Sequence, residues 1–219
     1  MIKNIILLIF LTAWIPGVFA QTPAERQAET VGQEMLRATR EHLKSFQTLR
    51  IHFTYQMENS SQNQSETFQG ELLLQGDRYN MKLGENLFIS NGEITWSYLA
   101  ELNEVYINRV ENNEDAITPT ALLNDFENRF RARHMRRETH RGRPVEIIDL
   151  LPRTPQAFHK YRVAIDPTNN MLVYTIAFDR EGGTFRHTID RFEPNPRLPA
   201  NAFTFDNKRF PGLEVIDLR

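Results

Sequence analysis

Arg50-Ile51-His52-Phe53-Thr54-Tyr55-Gln56-Met57 puts an apolar side chain at every second position, the period of a strand with one buried face. The same alternation continues outward from it. Phe68, Leu72 and Leu74 alternate with Gln69, Glu71 and Gln75, and after Gly76-Asp77 the residues Tyr79, Met81 and Leu83 do the same. Leu87 to Ser90 runs into Asn91-Gly92, a strong short hairpin signal, and Ile94, Trp96 and Tyr98 resume the pattern beyond it. Further strands are predicted at about 104–110, 145–151, 158–166, 171–179, 184–192 and 213–218. About ten or eleven antiparallel strands do not stay flat and open, so they curl. The expected fold is mainly β with helices (α+β): a half-open antiparallel barrel backed by an N-terminal helix, with a two-sheet sandwich as the alternative.

The helix is predicted upstream of the first strand. Thr22-Pro23-Ala24-Glu25 reads as a capping box with proline at the first helical position. Ala28, Val31, Met35, Thr39, Leu43 and Phe46 then recur every three to four residues, a stripe to lay on a sheet. A second, short helix is expected after Thr118-Pro119-Thr120, carrying Leu122, Leu123 and Phe126.

Ahead of these elements, Met1-Ile2-Lys3 and the apolar run from Ile5 to Leu11 precede Val18-Phe19-Ala20, whose small residues suit signal peptidase. The apolar run is too short for a spanning helix. Cleavage is expected after about Ala20, leaving 21–219 as a single exported domain in the periplasm. The chain of 219 residues contains no cysteine, so it has neither a disulfide nor a thiol to accept lipid after the signal. A formal charge of −2 argues against nucleic acid as the main partner.

The residue patterns do not point to catalysis. His42, His52, His134, His140, His159 and His187 fall in no metal-binding pattern and read as solvated strand and turn positions. The chain has no Gly-x-Ser-x-Gly elbow and no glycine-rich phosphate loop. No catalytic residue, metal or cofactor is expected, and the chain reads as no enzyme. Arginines are dense from Arg129 to Arg143, with Arg131, Arg133, Arg136 and Arg137 as a candidate docking patch for an anionic membrane or an acidic partner. The same charges would also blunt an exposed edge strand. The apolar set Phe53, Tyr55, Phe68, Leu72, Leu74, Tyr79, Met81, Trp96 and Tyr98, with Leu122, Leu123 and Phe126, is either an ordinary core or the lining of a closable pocket. Periodicity does not choose between them.

The order of these signals resembles the periplasmic outer-membrane lipoprotein carriers of the LolA type. Phe68-x-Gly70-x-Leu72, Ile89-Ser90-Asn91-Gly92-Glu93-x-x-Trp96-x-Tyr98, Thr118-Pro119-x-x-Leu122-Leu123 and Phe203-x-Phe205 with Phe210-Pro211-Gly212 carry the resemblance. It implies a cavity lidded by short helices that holds the acyl chains of lipidated proteins. It also implies a monomer passing them from an inner-membrane releasing transporter to an outer-membrane acceptor. The acceptor of similar fold carries a lipidated cysteine after its signal, so Ala20-Gln21 points to the shuttle. The family's lid-latching arginine has no direct counterpart in Leu74-Gln75-Gly76-Asp77-Arg78, where Arg78 is a shifted candidate. A carrier or sensor of free lipids or glycolipids, and an exported β interaction module without lipid, are the alternatives.

Overall fold

The computed structural model describes residues 22–59, 64–110 and 126–219. The helix α1 (Pro23–Lys44) starts on the expected capping box: the Thr22 hydroxyl accepts from the Glu25 backbone N–H, and the Glu25 carboxylate accepts from that of Thr22. The strands are β1 (Leu49–Asn59), β2 (Gln64–Gln75), β3 (Arg78–Leu83), β4 (Asn86–Ser90), β5 (Ile94–Leu99) and β6 (Glu104–Arg109). A one-turn helix α2 (Phe126–Arg129) leads to β7 (Phe130–His140), β8 (Arg143–Pro152), β9 (Phe158–Asp166), β10 (Met171–Asp179), β11 (Gly183–Pro194) and β12 (Glu214–Asp217). The twelve strands form one sheet in the order β12-β6-β5-β4-β3-β2-β1-β11-β10-β9-β8-β7. All pairs are antiparallel except β12 with β6. The sheet does not close; β7 and β12 are its edges. This is the expected mainly-β fold with one more strand than the upper count. The expected signal segment up to Ala20 and the residues Leu122 and Leu123 lie outside the described residues.

α1 lies on one face of the sheet, here the inner face. Its buried residues are Gly32, Leu36 and Thr39, with Leu43 packed alongside, so the helix is rotated slightly from the stripe expected from sequence. Gly32 explains the rotation. A Cβ at this position would lie 3.0 Å from the His134 backbone N and 3.2 Å from the Ala132 carbonyl. Glycine in a helix costs about 1 kcal/mol relative to alanine, and here it lets the helix seat directly on the backbone of β7. Leu36 then enters a cluster with Phe126, Phe130, Ile148, Leu150, Tyr161 and Ile165, all almost fully buried.

The register decides which face each remaining side chain occupies. Ile51 pairs with Leu72 and Leu72 with Met81, so β1 to β3 send their apolar residues to the inner face. Met81 then pairs with Phe88, and Tyr79 with Ser90. Leu87 and Ile89 therefore point to the opposite, outer face. They take with them their partners Tyr98 and Trp96, and beyond these Val105 and Ile107. The apolar side changes over between β3 and β4. The outer apolar face of β4 to β6 is covered by the C-terminal segment, which packs Phe205, Phe210 and Leu213 against Ile89, Trp96, Tyr98 and Val105. Tyr98 and Phe210 sit with ring centroids 4.2 Å apart.

On the outer face of the other half, the buried Asp149 carboxylate receives two hydrogen bonds from Arg162, at 2.7 and 2.9 Å. They lie over the cluster of Val145, Ile147, Ala164, Tyr174 and Ile176.

Gly70 opposes Phe53 on the inner face, and an added Cβ would collide with the end of a ring that is only 2% exposed. Gly70→Ala should therefore lower stability by about 1–3 kcal/mol, read as a lower urea midpoint at unchanged slope. Phe53→Leu in the same chain should recover part of that loss. Failure to recover would show that the collision is not the cause.

Candidate functional site

Between α1 and the sheet lies an apolar recess built from four strands and the helix. Leu43 roofs it; Ile51 and Phe53 of β1, Leu72 and Leu74 of β2, Leu172 and Thr175 of β10, and His187, Ile189 and Phe192 of β11 form its walls. The free space is about 30 Å³, close to the volume of one water molecule. Ligand pockets run to about 300–1,000 Å³, so this recess is shut around its own side chains.

The structure brings together seven of the residues expected to line a cavity. Phe53, Leu72 and Leu74 are buried in the walls. Tyr55, Tyr79 and Met81 pack around the same cluster. Phe68 is on the inner face too, 38% exposed and stacked on Tyr55 at 6.3 Å. Phe126 is fully buried, but among Leu36, Phe130 and Tyr161 at the β7 end. Trp96 and Tyr98 correct the sequence reading: they lie on the outer face beneath the C-terminal segment and do not reach the recess. Alternation within β5 is as expected, but the parity between hairpins is reversed. The buried polar residues Ser90 and Thr95, on the inner face where an apolar run was expected, are the signal that could have shown it.

Arg78 is corrected in the same way. It is an outer-face residue of β3 whose guanidinium sits 5.1 Å from the Phe203 ring centroid, on the side away from α1. The position of the expected latch is held by the turn at Gly76, which has φ +57°. The candidate docking arginines all lie on the edge strand β7 and are exposed. They do not form one patch. A bulge between His134 and Arg136 changes the facing, so Arg131, Arg133 and Arg136 line up with outer-face residues whereas Arg137 opposes the inner-face Glu146. Arg136 pairs with Glu138, and Arg137 donates to Glu146 at 2.6 Å. His134 holds the other Glu146 oxygen at 2.7 Å. Burial acts to raise the Glu146 carboxyl, but these two partners outweigh it and hold it below the ordinary range.

His187 is the residue that sequence reasoning missed. It was expected on a solvated position, yet it faces the recess, 5.6 Å from the Phe53 ring and 4.8 Å from that of Tyr55. Burial pushes its imidazole down to about 4, so it is neutral at pH 7 and behaves as part of an apolar wall. Among the described residues no group of three or more His, Asp or Glu side chains could hold a metal ion. No helix among them is long and apolar enough to cross a membrane.

Residues 44–206 match the family model described as outer membrane lipoprotein carrier protein LolA. Comparison with curated protein sequences returns no match. Solved structures align with the chain at low identity. A conserved protein of Thermus thermophilus aligns with TM-score 0.60 at 11% identity, over 85% of this chain and 99% of its own. Lipoprotein LppX of Mycobacterium tuberculosis aligns with TM-score 0.49 at 10% identity, over 78% and 98%. A LolA superfamily protein of Nitrosomonas europaea aligns with TM-score 0.43 at 9% identity, over 80% and 98%.

The neutral His187 carries a pH signature. Its ordinary value is 6.5 and its folded value about 4, so between them the unfolded chain binds a proton that the folded chain refuses. Stability therefore falls as the pH drops from 6.5 towards 4, by up to about 1.4 kcal/mol per unit from this group, and no further below 4. Urea midpoints of the wild type and of His187→Leu measured across this range should diverge, with the variant the flatter of the two. Parallel curves would mean that His187 is solvated and titrates normally.

Proposed function

Because the chain belongs to the LolA family of outer membrane lipoprotein carrier proteins, we propose that its inner face receives the acyl chains of lipidated proteins and shields them from water. The observation that carries this reading is the recess under Leu43. Its walls are almost wholly apolar, Thr175 and the neutral His187 being the polar residues among them. An acyl chain of about sixteen carbons represents on the order of 12 kcal/mol of hydrophobic transfer at about 0.8 kcal/mol per methylene, so it crosses water only when covered. At about 30 Å³ the recess as it stands is too small for an acyl chain. Entry of a chain requires the C-terminal half of α1 to lift, with Leu43, Phe53, Leu72 and Ile189 re-packing onto cargo in place of one another.

On this reading the protein is a periplasmic monomer, released from its signal near Ala20. It takes lipidated proteins from an inner-membrane releasing transporter and gives them to an outer-membrane acceptor. It is a carrier and not an enzyme. Transfer without ATP at this step suits a pocket that competes with its own closure: contacts that re-form inside the empty recess offset part of the energy of releasing the cargo. Phe53, Tyr55, Phe68, Leu72, Leu74, Tyr79 and Met81 are the residues proposed to touch the chains. The arginines of β7 would meet the acidic surface of a partner.

The direct test is to purify the protein from its native compartment and identify the bound material by mass spectrometry. Acylated polypeptides are expected; free lipid alone would favour the lipid-carrier alternative, and neither would sink the acyl-chain reading. Leu43→Asp supplies a second test, since Leu43 is only half-buried and a charge there can reach water. The variant should keep its circular dichroism spectrum and lose at least about tenfold in affinity for a fluorescent acyl probe. Unchanged affinity in a folded variant would rule Leu43 out as the roof of the site.

A further inference from the structure

At the C-terminal end of α1 the apolar recess is bordered by a second one of about 170 Å³. Leu43 and Leu74 line both, so the two adjoin and only these side chains need move to join them. The character of the wall changes between them. The outer recess carries Arg40 and Lys44, one helical turn apart on α1, and a single carboxylate, Asp77, from the turn between β2 and β3. We propose that this mouth recognises the anionic head, a carboxylate or a phosphate, of an amphiphile whose acyl tail enters the apolar recess. The proposal rests on the acyl-chain reading above for the recess and adds an anionic lipid as a second cargo, since the ester- and amide-linked head of a lipidated protein carries neither a carboxylate nor a phosphate.

Arg40 supports it most directly. Its side chain is 19% exposed, and its buried Nε–H has no hydrogen-bond partner. The nearest carboxylates are poorly placed. Glu41 lies at 3.4 Å without hydrogen-bond geometry. Glu127 turns its Oε2 to Arg40 at 3.9 Å, beyond hydrogen-bond reach, while its Oε1 accepts two hydrogen bonds from Arg37. The guanidinium is instead held over the Phe126 ring at 5.5 Å, which fixes its position and leaves donor capacity unused. Lys44 takes part in no ion pair among the described residues. The negative end of the helix dipole steadies both cations without neutralising them as a fixed carboxylate would. The result is a polar rim with excess positive charge, placed where the head of an inserted chain would come to rest.

The rim includes the turn after β2. Gly76 and Asp77 occupy that turn, Arg78 faces away, and the cations come from the helix. A head group bound by Arg40 and Lys44 would sit against α1, and so would report occupancy to the element that has to move.

The test compares three probes with one tail: palmitate, hexadecyl phosphate and hexadecanol, titrated calorimetrically into the protein below their aggregation concentrations. Both anions should bind at least about tenfold more tightly than the alcohol. Lys44→Gln should weaken the anions about fivefold and Arg40→Gln about tenfold or more, with hexadecanol unchanged in both. Asp77→Asn should tighten the anions. Lys44 is exposed, so its variant remains informative if Arg40→Gln fails to fold. A preference between palmitate and hexadecyl phosphate would identify a fatty-acid or a phospholipid head. Equal affinity for all three probes, or loss of hexadecanol along with the anions in Lys44→Gln, would overturn the head-group site and leave the acyl pocket standing. Binding of none of them would overturn the acyl pocket itself.

Discussion

Among the described residues one long helix, α1, faces twelve strands and cannot cover them all, and the rest of the architecture follows from that shortage. α1 has 22 residues and spans about 33 Å, but with side chains it is only about 10 Å across, the width of roughly two strand spacings. It is seated on β7 and reaches towards β1 and β2 at its far end. Strands beyond its reach have to bury their apolar residues elsewhere. The chain solves this by changing the apolar side between β3 and β4 and bringing Phe205, Phe210 and Leu213 round to the outer face. One continuous sheet thus buries apolar clusters on both faces, and on the inner face the roof is a helix held to the sheet largely through its side chains.

Most strand positions, though not that of β7, which read only as an arginine-dense stretch, were legible because alternation is a local property. So was the start of α1, since a capping box needs only four residues. What could not be read was any property set by how one hairpin registers on the next. Trp96 and Tyr98 alternate as expected within β5, but their face depends on Tyr79 pairing with Ser90 in the neighbouring hairpin. The face of Arg78 depends on register in the same way. His187 shows a different limit: histidine occurs on surfaces as well as in interiors, and only the proximity of Phe53 and Tyr55 makes it an apolar wall. Gly32 is silent in the helical stripe because a glycine adds nothing to a hydrophobic pattern, although its missing side chain sets the rotation of the helix.

The closed recess and the basic rim are complementary. A cavity kept permanently open in water would leave apolar walls wet, and one packed as tightly as the β7 end would admit nothing. Here the tight packing is concentrated on Leu36, Phe126, Phe130 and Tyr161, whereas the part under Leu43 retains a small void and a half-buried roof. The affinity of such a site is set by the difference between cargo contacts and the contacts it makes with itself when empty.

The seating of Gly32 on the β7 backbone has a mechanical consequence. A helix held at one point by backbone contact, and elsewhere by side chains that can re-pack, behaves as a lever with its fulcrum at that point. Leu43 lies about eleven residues beyond, about 16 Å along the axis. A tilt of a few degrees at Gly32 would therefore lift the roof by about an ångström and swing the N-terminal turns the other way by slightly less. Opening at the roof is thus tied to a counter-movement at the other end of the same helix.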